Sequence, residues 1–327
     1  GAELDLSGPH SYAGTLPCAD CPGIDWQLDL WPDGRFHLHR TYRERDARDD
    51  DLGRWRLNPA DGSLLLFGGR EAPVRLAVVD ERMLRLLRSD GTAIESELPY
   101  ELHRLPDFVP AAIEARVGGE FRYLADAATL QECRTGHHYP VLMEGDYLAV
   151  ERRYLATRRP GDEEPAAMFV QLEAGIVNRQ AMEGEEPAQS LLIRRLIADV
   201  PDLRCERAMS EAGLANTYWR LLSLQGERTP TVAGAREIHM VLHDSRGSVA
   251  GFAGCNRFTG GYELSGGRLS LGPLASTRMA CPAPQMQLEN AVHRALAAVT
   301  HWRISGQVLE LYNAEGEAML VFDAVYL

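Results

Sequence analysis

Cys18 and Cys21 stand three positions apart between Pro17 and Pro22, and they carry the most specific local chemistry in the chain. Two thiols at that spacing can exchange electrons as a catalytic dithiol, hold a metal, or close a short disulfide loop. A dithiol catalyst needs its first cysteine at a helix N-terminus in a βαβ unit, where the helix dipole stabilises the thiolate. Here Ile24, Trp26, Leu28 and Leu30 alternate with Asp25, Gln27 and Asp29, so the pair runs straight into a strand. A structural zinc site needs four ligands, usually from a second pair, and the chain has no second CxxC. A short-loop disulfide and a thiol pair for a soft metal remain. For the latter, His37 and His39 are the nearest candidate partners, since alternation places both imidazoles on one face of the next strand. That face reads first as solvated, and as a ligand pair in the alternative.

The remaining cysteines also fall in sequence-local pairs, Cys133 with Cys205 and Cys255 with Cys281. Three bonded pairs point to an oxidising compartment; buried free thiols in a cytosolic protein are the alternative. In the chain-entropy view the three loops stabilise by about 2, 4 and 3.5 kcal/mol in chain order, so the CxxC loop gains least as a staple and is the one suited to a switch or a ligand pair. Two further ligand sets, Cys133 with His137 and His138, and Met279 with Cys281, compete with a polar turn and with the Cys255–Cys281 bond.

A length of 327 residues exceeds what one core organises and implies two or three domains. The net charge of -13 speaks against nucleic acid and against an anionic membrane surface as partners. All 34 basic side chains are arginine. No run of apolar residues is long enough to span a bilayer. The opening Gly1-Ala2-Glu3 is what a chain cut from its export signal, and from any lipid-bearing cysteine, would leave.

Residues 1–108 read as about eight short antiparallel strands punctuated by Pro32-Asp33-Gly34, Asp61-Gly62 and Asp90-Gly91, which suits an up-and-down barrel. The charged run 43–51 reads as an exposed loop. Leu105 to Pro110 reads as a linker. Residues 109–212 show a small mixed pattern, with Asp146 as the cap of a short helix and acidic hairpin tips at 161–164 and 183–186. Residues 213–327 read as strands with one helix over 283–299, where Met286, Leu288, Val292, Leu296 and Val299 recur at helical spacing behind Pro282 and Pro284.

The string Tyr12-x-Gly14-x-Leu16-Pro17-Cys18-x-x-Cys21-x-Gly23-Ile24, followed by Phe36 and Gly53-Arg54-Trp55, resembles the N-terminal domain of the NlpE family, outer-membrane lipoproteins associated with copper tolerance and envelope stress. The resemblance implies a lipocalin-like barrel with Cys18 and Cys21 as the family's CxxC pair. Residues 109–212 resemble that family's C-terminal OB-like domain, which implies a Cys133–Cys205 bond. Trp219-Arg220-Leu221, Gly251 to Gly260 with Cys255-Asn256-Arg257, and Thr277-Arg278-Met279-Ala280-Cys281-Pro282 resemble the META domain, also known from HslJ-type lipoproteins. A mainly β chain of three domains follows, ending in a META-type β fold with one packed helix.

No Gly-x-Ser-x-Gly elbow, His-Glu-x-x-His motif or phosphate-binding glycine loop is present, and Ser210, Ser223 and Ser245 lack the setting of nucleophiles. With no such motif, the resemblances imply a non-enzymatic lipoprotein at the periplasmic face of the bacterial outer membrane, held there only by an N-terminal lipid. It would sense stress or maintain homeostasis, require no cofactor, and meet envelope-signalling or outer-membrane proteins. Copper binding through Cys18, Cys21, His37 and His39 is the alternative; a small-ligand module is a further one.

Overall fold

In the computed structural model the described residues are 4–70, 73–159, 161, 166–179, 188–208, 210–230 and 236–326. Eight strands form a closed antiparallel barrel in sequence order: β1 (His10–Leu16), β2 (Ile24–Leu30), β3 (Arg35–Tyr42), β4 (Ala47–Leu57), β5 (Leu64–Phe67), β6 (Val74–Asp80), β7 (Met83–Leu86) and β8 (Glu101–Arg104). Alternation decides which side chains face in. Tyr12, Leu28, Leu30, Leu38, Leu64, Leu76, Leu84 and Leu102 are at most 1 % exposed and pack into one cluster. Among the described residues the barrel interior is thus lined by one apolar cluster.

The seam closes where β1 meets β8, with Tyr12 opposite Arg104 and Ala13 opposite His103. Gly14 sits beside it, and a Cβ there would run into the Glu101 carbonyl oxygen. Gly53 on β4 is equally confined, since a Cβ would come within 2.5 Å of the Phe67 carbonyl oxygen. Gly14 and Gly53 of the sequence motif are therefore places where two backbones approach too closely for a side chain.

The middle sheet runs β11-β10-β9-β12-β13, from β9 (Ile113–Leu124), β10 (Ala127–Glu132), β11 (His138–Pro140), β12 (Met168–Asn178) and β13 (Gln189–Val200), with α1 (Tyr147–Thr157) between β11 and β12. Phe121 meets Tyr154 edge-on at 5.4 Å, which seats α1 on β9. Asp146 does precede the helix, but its carboxylate makes no cap bond and instead accepts from the Leu196 amide at 2.8 Å. The expected cap is a clasp between α1 and β13. The acidic stretches 162–164 and 183–186 lie outside the described residues.

After α2 (Cys205–Ala208) the third sheet is built, among the described residues, from β14 (Tyr218–Leu224), β15 (Glu227–Arg228), β16 (His239–His243), β17 (Ser248–Phe252), β18 (Arg257–Ser265), β19 (Arg268–Ser276), β20 (His301–Ser305), β21 (Val308–Tyr312) and β22 (Ala318–Val325). Strand β14 also pairs with β22, which brings the far strands of the sheet together. Helix α3 (Ala283–Ala297) packs Val292, Ala295 and Leu296 onto a core with Trp219, Leu242, Phe258 and Phe322. By internal contacts the chain forms two compact units, Gly1–Met168 with Leu172–Leu196, and Phe169–Gln171 with Ile197–Leu327, so the barrel and most of the middle sheet share the first.

If the seam depends on Gly14, Gly14→Ala weakens the barrel by about 1–3 kcal/mol. Hydrogen exchange on the full chain should show protection lost in β1 and β8 and kept in the third sheet. Unchanged protection in β1 and β8 would contradict the seam.

Candidate functional site

The loop from β1 to β2 presents the CxxC pair. Cys18 and Cys21 are joined by a disulfide, with Cα atoms 5.2 Å apart. Two arginines hold the loop. The Arg43 amide donates to the Gly23 carbonyl at 2.9 Å, and the Arg43 guanidinium donates to Asp25 at 3.0 and 3.1 Å and to the Thr15 hydroxyl at 3.1 Å. Arg45 donates to the Asp20 carbonyl oxygen at 2.7 Å and pairs with its carboxylate at 3.0 Å. Thr15 completes the set by donating to Asp25 at 2.6 Å. The Arg43 guanidinium holds the Asp25 carboxyl below its ordinary value, and the Thr15 bond adds to the effect against a smaller push from burial.

These arginines correct the reading of the run 43–51 as a solvated loop. Only residues 43–46 turn; Ala47–Leu57 is strand β4, and Asp50 and Asp51 are 8 % and 5 % exposed. Mixed charge can be buried here because each carboxylate has donors. Asp50 takes His39 Nδ1 at 2.6 Å, the Glu114 amide at 2.7 Å and the Arg48 guanidinium. Asp51 takes the amides of Leu52 and Arg70, both at 2.9 Å, and Arg134 at 3.4 Å.

The sulfurs of Cys18 and Cys21 and a carboxylate oxygen of Asp20 lie within 4.8 Å of one another. The expected histidine ligands do not join them. Ile24, next to the loop, pairs with Tyr42, and His39 and His37 lie about 10 and 17 Å farther along β3 at the rise of a strand. His39 is committed to Asp50. His37 is 0 % exposed, which overturns the solvated-face reading: its Nε2 lies 3.3 Å from the Tyr139 hydroxyl of the middle domain. Alternation fixes which face His37 is on and says nothing of a second domain covering that face.

The segment expected as a linker, Leu105 to Pro110, and the residues after it also lie on this wall. Leu105 donates to the Ser11 carbonyl at 2.8 Å, and the chain then lies along the outer wall as a strap. Gln27 donates to the Val109 carbonyl at 2.8 Å, the Ala111 amide donates to Asp29 at 2.9 Å, and the Glu114 amide reaches Asp50. Burial pushes the Asp29 carboxyl up despite the bonds from Gln27, Ser11 and Ala111. Asp29, Tyr139 and the strap carry no functional signature in the sequence. The only signal is the polar residues on the outer wall of β2 and β3.

The other cysteines are oxidised too: Cys133 and Cys205 are each disulfide-bonded, Cys255 is bonded to Cys281, and no free cysteine is found among the described residues. Cys133 is 7 % exposed, its amide donating to the Gly118 carbonyl at 2.9 Å. Nearby, His137 stacks edge-on against Tyr139 at 4.6 Å rather than joining Cys133 in a ligand group. Met279 is 64 % exposed, and its partner in the proposed sulfur set, Cys281, is spent on Cys255.

Around Cys255 the third sheet has a polar hub that periodicity did not disclose. Glu289 is 4 % exposed on α3 and accepts from the amides of Cys255 and Asn256 at 2.8 and 2.5 Å and from Asn256 Nδ2 at 2.8 Å. The Asn256 side-chain oxygen accepts from the Met279 amide at 2.6 Å and from Thr277 at 3.0 Å. The Gly254-Cys255-Asn256 corner is thus tied to α3 by a carboxylate and, by a disulfide, to Cys281 just ahead of the helix. A glutamate interrupting the apolar stripe of the helix was the available clue.

Burial pushes the Glu289 carboxyl up, and the bonds from Asn256 and the Cys255 amide outweigh it, so the group sits below its ordinary value of 4.5. A depressed carboxylate contributes stability that is present above 4.5 and is lost as pH falls through the folded value. Glu289→Gln should therefore cost about 1–3 kcal/mol at pH 7, and parent and variant should converge well below about pH 4.5. Chemical denaturation at both pH values checks this; an equal gap at both would contradict the charged hub.

Family models match the chain in three consecutive places: the NlpE N-terminal domain over residues 12–97, the NlpE C-terminal OB domain over 112–206, and the META domain over 212–326. Lipoprotein NlpE of Escherichia coli (strain K12) is 34% identical over 153 residues, which is 46% of this chain and 62% of that relative. The match therefore spans less than two thirds of the relative's length. The crystal structure of the Cpx pathway activator NlpE from Escherichia coli aligns with a TM-score of 0.25 at 25% identity, covering 61% of this chain and 98% of that one. An NMR structure of a protein from Burkholderia xenovorans aligns with a TM-score of 0.30 at 35% identity, covering 35% of this chain and 85% of that one. The chain thus consists of an NlpE N-terminal domain and an NlpE C-terminal OB domain followed by a META domain.

Proposed function

We propose that this chain is a non-enzymatic lipoprotein of the bacterial envelope that senses stress through the state of its disulfides. The observation that carries the reading is the oxidation of every cysteine described, spread over all three domains. Such bonds persist in oxidising compartments and are rare in the cytosol. The two NlpE domains support the same reading, since a lipoprotein and a Cpx pathway activator are what the Escherichia coli relatives are called. In this proposal the chain is anchored by an N-terminal lipid to the periplasmic face of the outer membrane. A bond between Cys133 and Cys205 holds the middle domain, its loss loosens that domain, and an envelope-signalling partner reads the change.

The second reading, copper binding, is favoured by the grouping of Cys18, Asp20 and Cys21 in one state only. Once the disulfide is reduced, two thiolates and the Asp20 carboxylate would face one ion, and Cu(I) prefers the soft pair.

Two measurements separate these readings. Fractionation of cells expressing the full-length precursor, with labelled palmitate, should place a lipidated protein in the outer membrane; an unlipidated cytosolic protein would end the first reading. Calorimetric titration of reduced protein with Cu(I) should show binding that Cys18→Ser abolishes if the second holds; unchanged affinity in the variant would remove it.

A further inference from the structure

The junction between barrel and middle domain holds a cluster of rings that the proposed function does not use. His37 on β3 meets the Trp31 ring edge-on at 4.6 Å, and Trp31 meets Phe108 of the strap at 5.4 Å. Tyr139 on β11 closes the cluster from the other side, with its hydroxyl 3.3 Å from His37 Nε2 and its ring 4.6 Å from His137. The second ring nitrogen of His37, Nδ1, is buried and has no hydrogen-bond partner. A neutral imidazole tolerates that setting. An imidazolium would bury a second N–H and a positive charge with no acceptor.

The charges around the rings make protonation worse. On its own strand His37 has Arg35, whose guanidinium lies 4.4 Å from the Trp31 ring centre and is paired with Asp33 at 2.8 Å. From β2, Asp29 stands opposite His37 but spends its oxygens on Ser11, Gln27 and the Ala111 amide. From β4, the residue opposite is Leu52, and Asp51 nearby pairs with Arg134. From the middle domain come His137, His138 and Glu132, the last holding Thr135 and the Arg134 amide. No carboxylate contacts either His37 or His137 directly among the described residues.

We propose that His37 and His137 form an acid-sensitive latch, closed while both rings are neutral, whose protonation parts Tyr139 and His137 from the barrel wall while the strap stays tethered. Burial, then Arg35, hold His37 down to about 3, and the same two causes hold His137 at about 4, with Asp33 opposing weakly. Both folded values lie below the ordinary 6.5, so the junction's stability is intact above that pH and is lost as pH falls from 6.5 toward the folded values. Over that window each histidine favours the open junction by about tenfold per pH unit. Asp29 and Glu132, pushed up by burial, would resist acid, but the strap and Thr135 keep them satisfied when the rings part. The latch needs only acid and stands whether or not the chain is lipid-anchored.

Hydrogen exchange of the full chain at about pH 8 and pH 5, corrected for the intrinsic pH effect, tests it in peptides covering residues 31–37 and 135–140. Exchange there should rise by up to about 30-fold for each histidine, with the third sheet as the unchanged internal reference. His37→Gln with His137→Gln, which keeps polar side chains that do not titrate, should abolish the rise. Equal protection at both pH values in the parent, or the same rise in the double variant, would overturn the proposal. If the double variant does not fold, NMR titration of the two rings in the parent decides: values well below about 6 sustain the latch, and ordinary values near about 6.5 overturn it.

Discussion

The first compact unit depends on hydrogen bonds that cross the outside of a barrel wall. Strand alternation sends Leu28, Leu30 and Leu38 inward, and by the same geometry sends Asp29, His37 and His39 outward. In an isolated barrel these outward groups would be solvated. Here Asp29 and His37 are fully buried and Asp50 nearly so; the strap adds the Ala111 and Glu114 amides to the donors that the wall itself supplies, Ser11 and Gln27 for Asp29 and His39 and Arg48 for Asp50. Hydrogen bonds to a charged acceptor contribute about 1.5–3 kcal/mol each, so the two strap amides add to the stability of a wall whose carboxylates are already partnered. The strap is therefore part of the barrel's wall, and the middle sheet follows the strap. His37 is the exception in this wall, with one nitrogen satisfied and the other not.

The same logic recurs in the third sheet on a smaller scale. Glu289 is the buried acceptor, and the amides of Cys255 and Asn256 are its donors. A disulfide from the same corner reaches Cys281, so the segment leading into α3 is held there as well. The CxxC loop differs from both. Its tethers are the arginines of the β3–β4 turn, which are half exposed, and it closes the shortest of the chain's loops. Its cross-link closes the shortest loop and so contributes least to the fold in the chain-entropy view, and both of its cysteines are half-buried.

Much of this architecture was legible in the sequence because its signals are local. The Asp-Gly turns and the period-two alternation point to the barrel strands, and helical spacing points to α3. The glycines of the Tyr-x-Gly and Gly-Arg-Trp strings turn out to be close backbone approaches, at the β1–β8 seam and the β4–β5 contact. What failed was long-range. Whether His37 faces water depends on Tyr139, a hundred or so positions away; whether Asp50 can be buried depends on the Glu114 amide; and Asp146 was taken from its cap by Leu196. The charged run 43–51 looked solvated because its donors lie on other strands and in the next domain. Copper ligation by His37 and His39 rested on a shared face, and strand length then carried that face away from the cysteines.

Sensing through disulfides requires that the cysteines be oxidised in the cell. The direct measurement is a thiol map: alkylate intact cells expressing the full-length protein, purify without reductant, digest, and identify linked and alkylated cysteines by mass spectrometry. Three linked pairs are expected, Cys18–Cys21, Cys133–Cys205 and Cys255–Cys281, with no alkylated cysteine in the matured protein. Alkylated Cys133, Cys205, Cys255 or Cys281 in that population would contradict the disulfide-based reading.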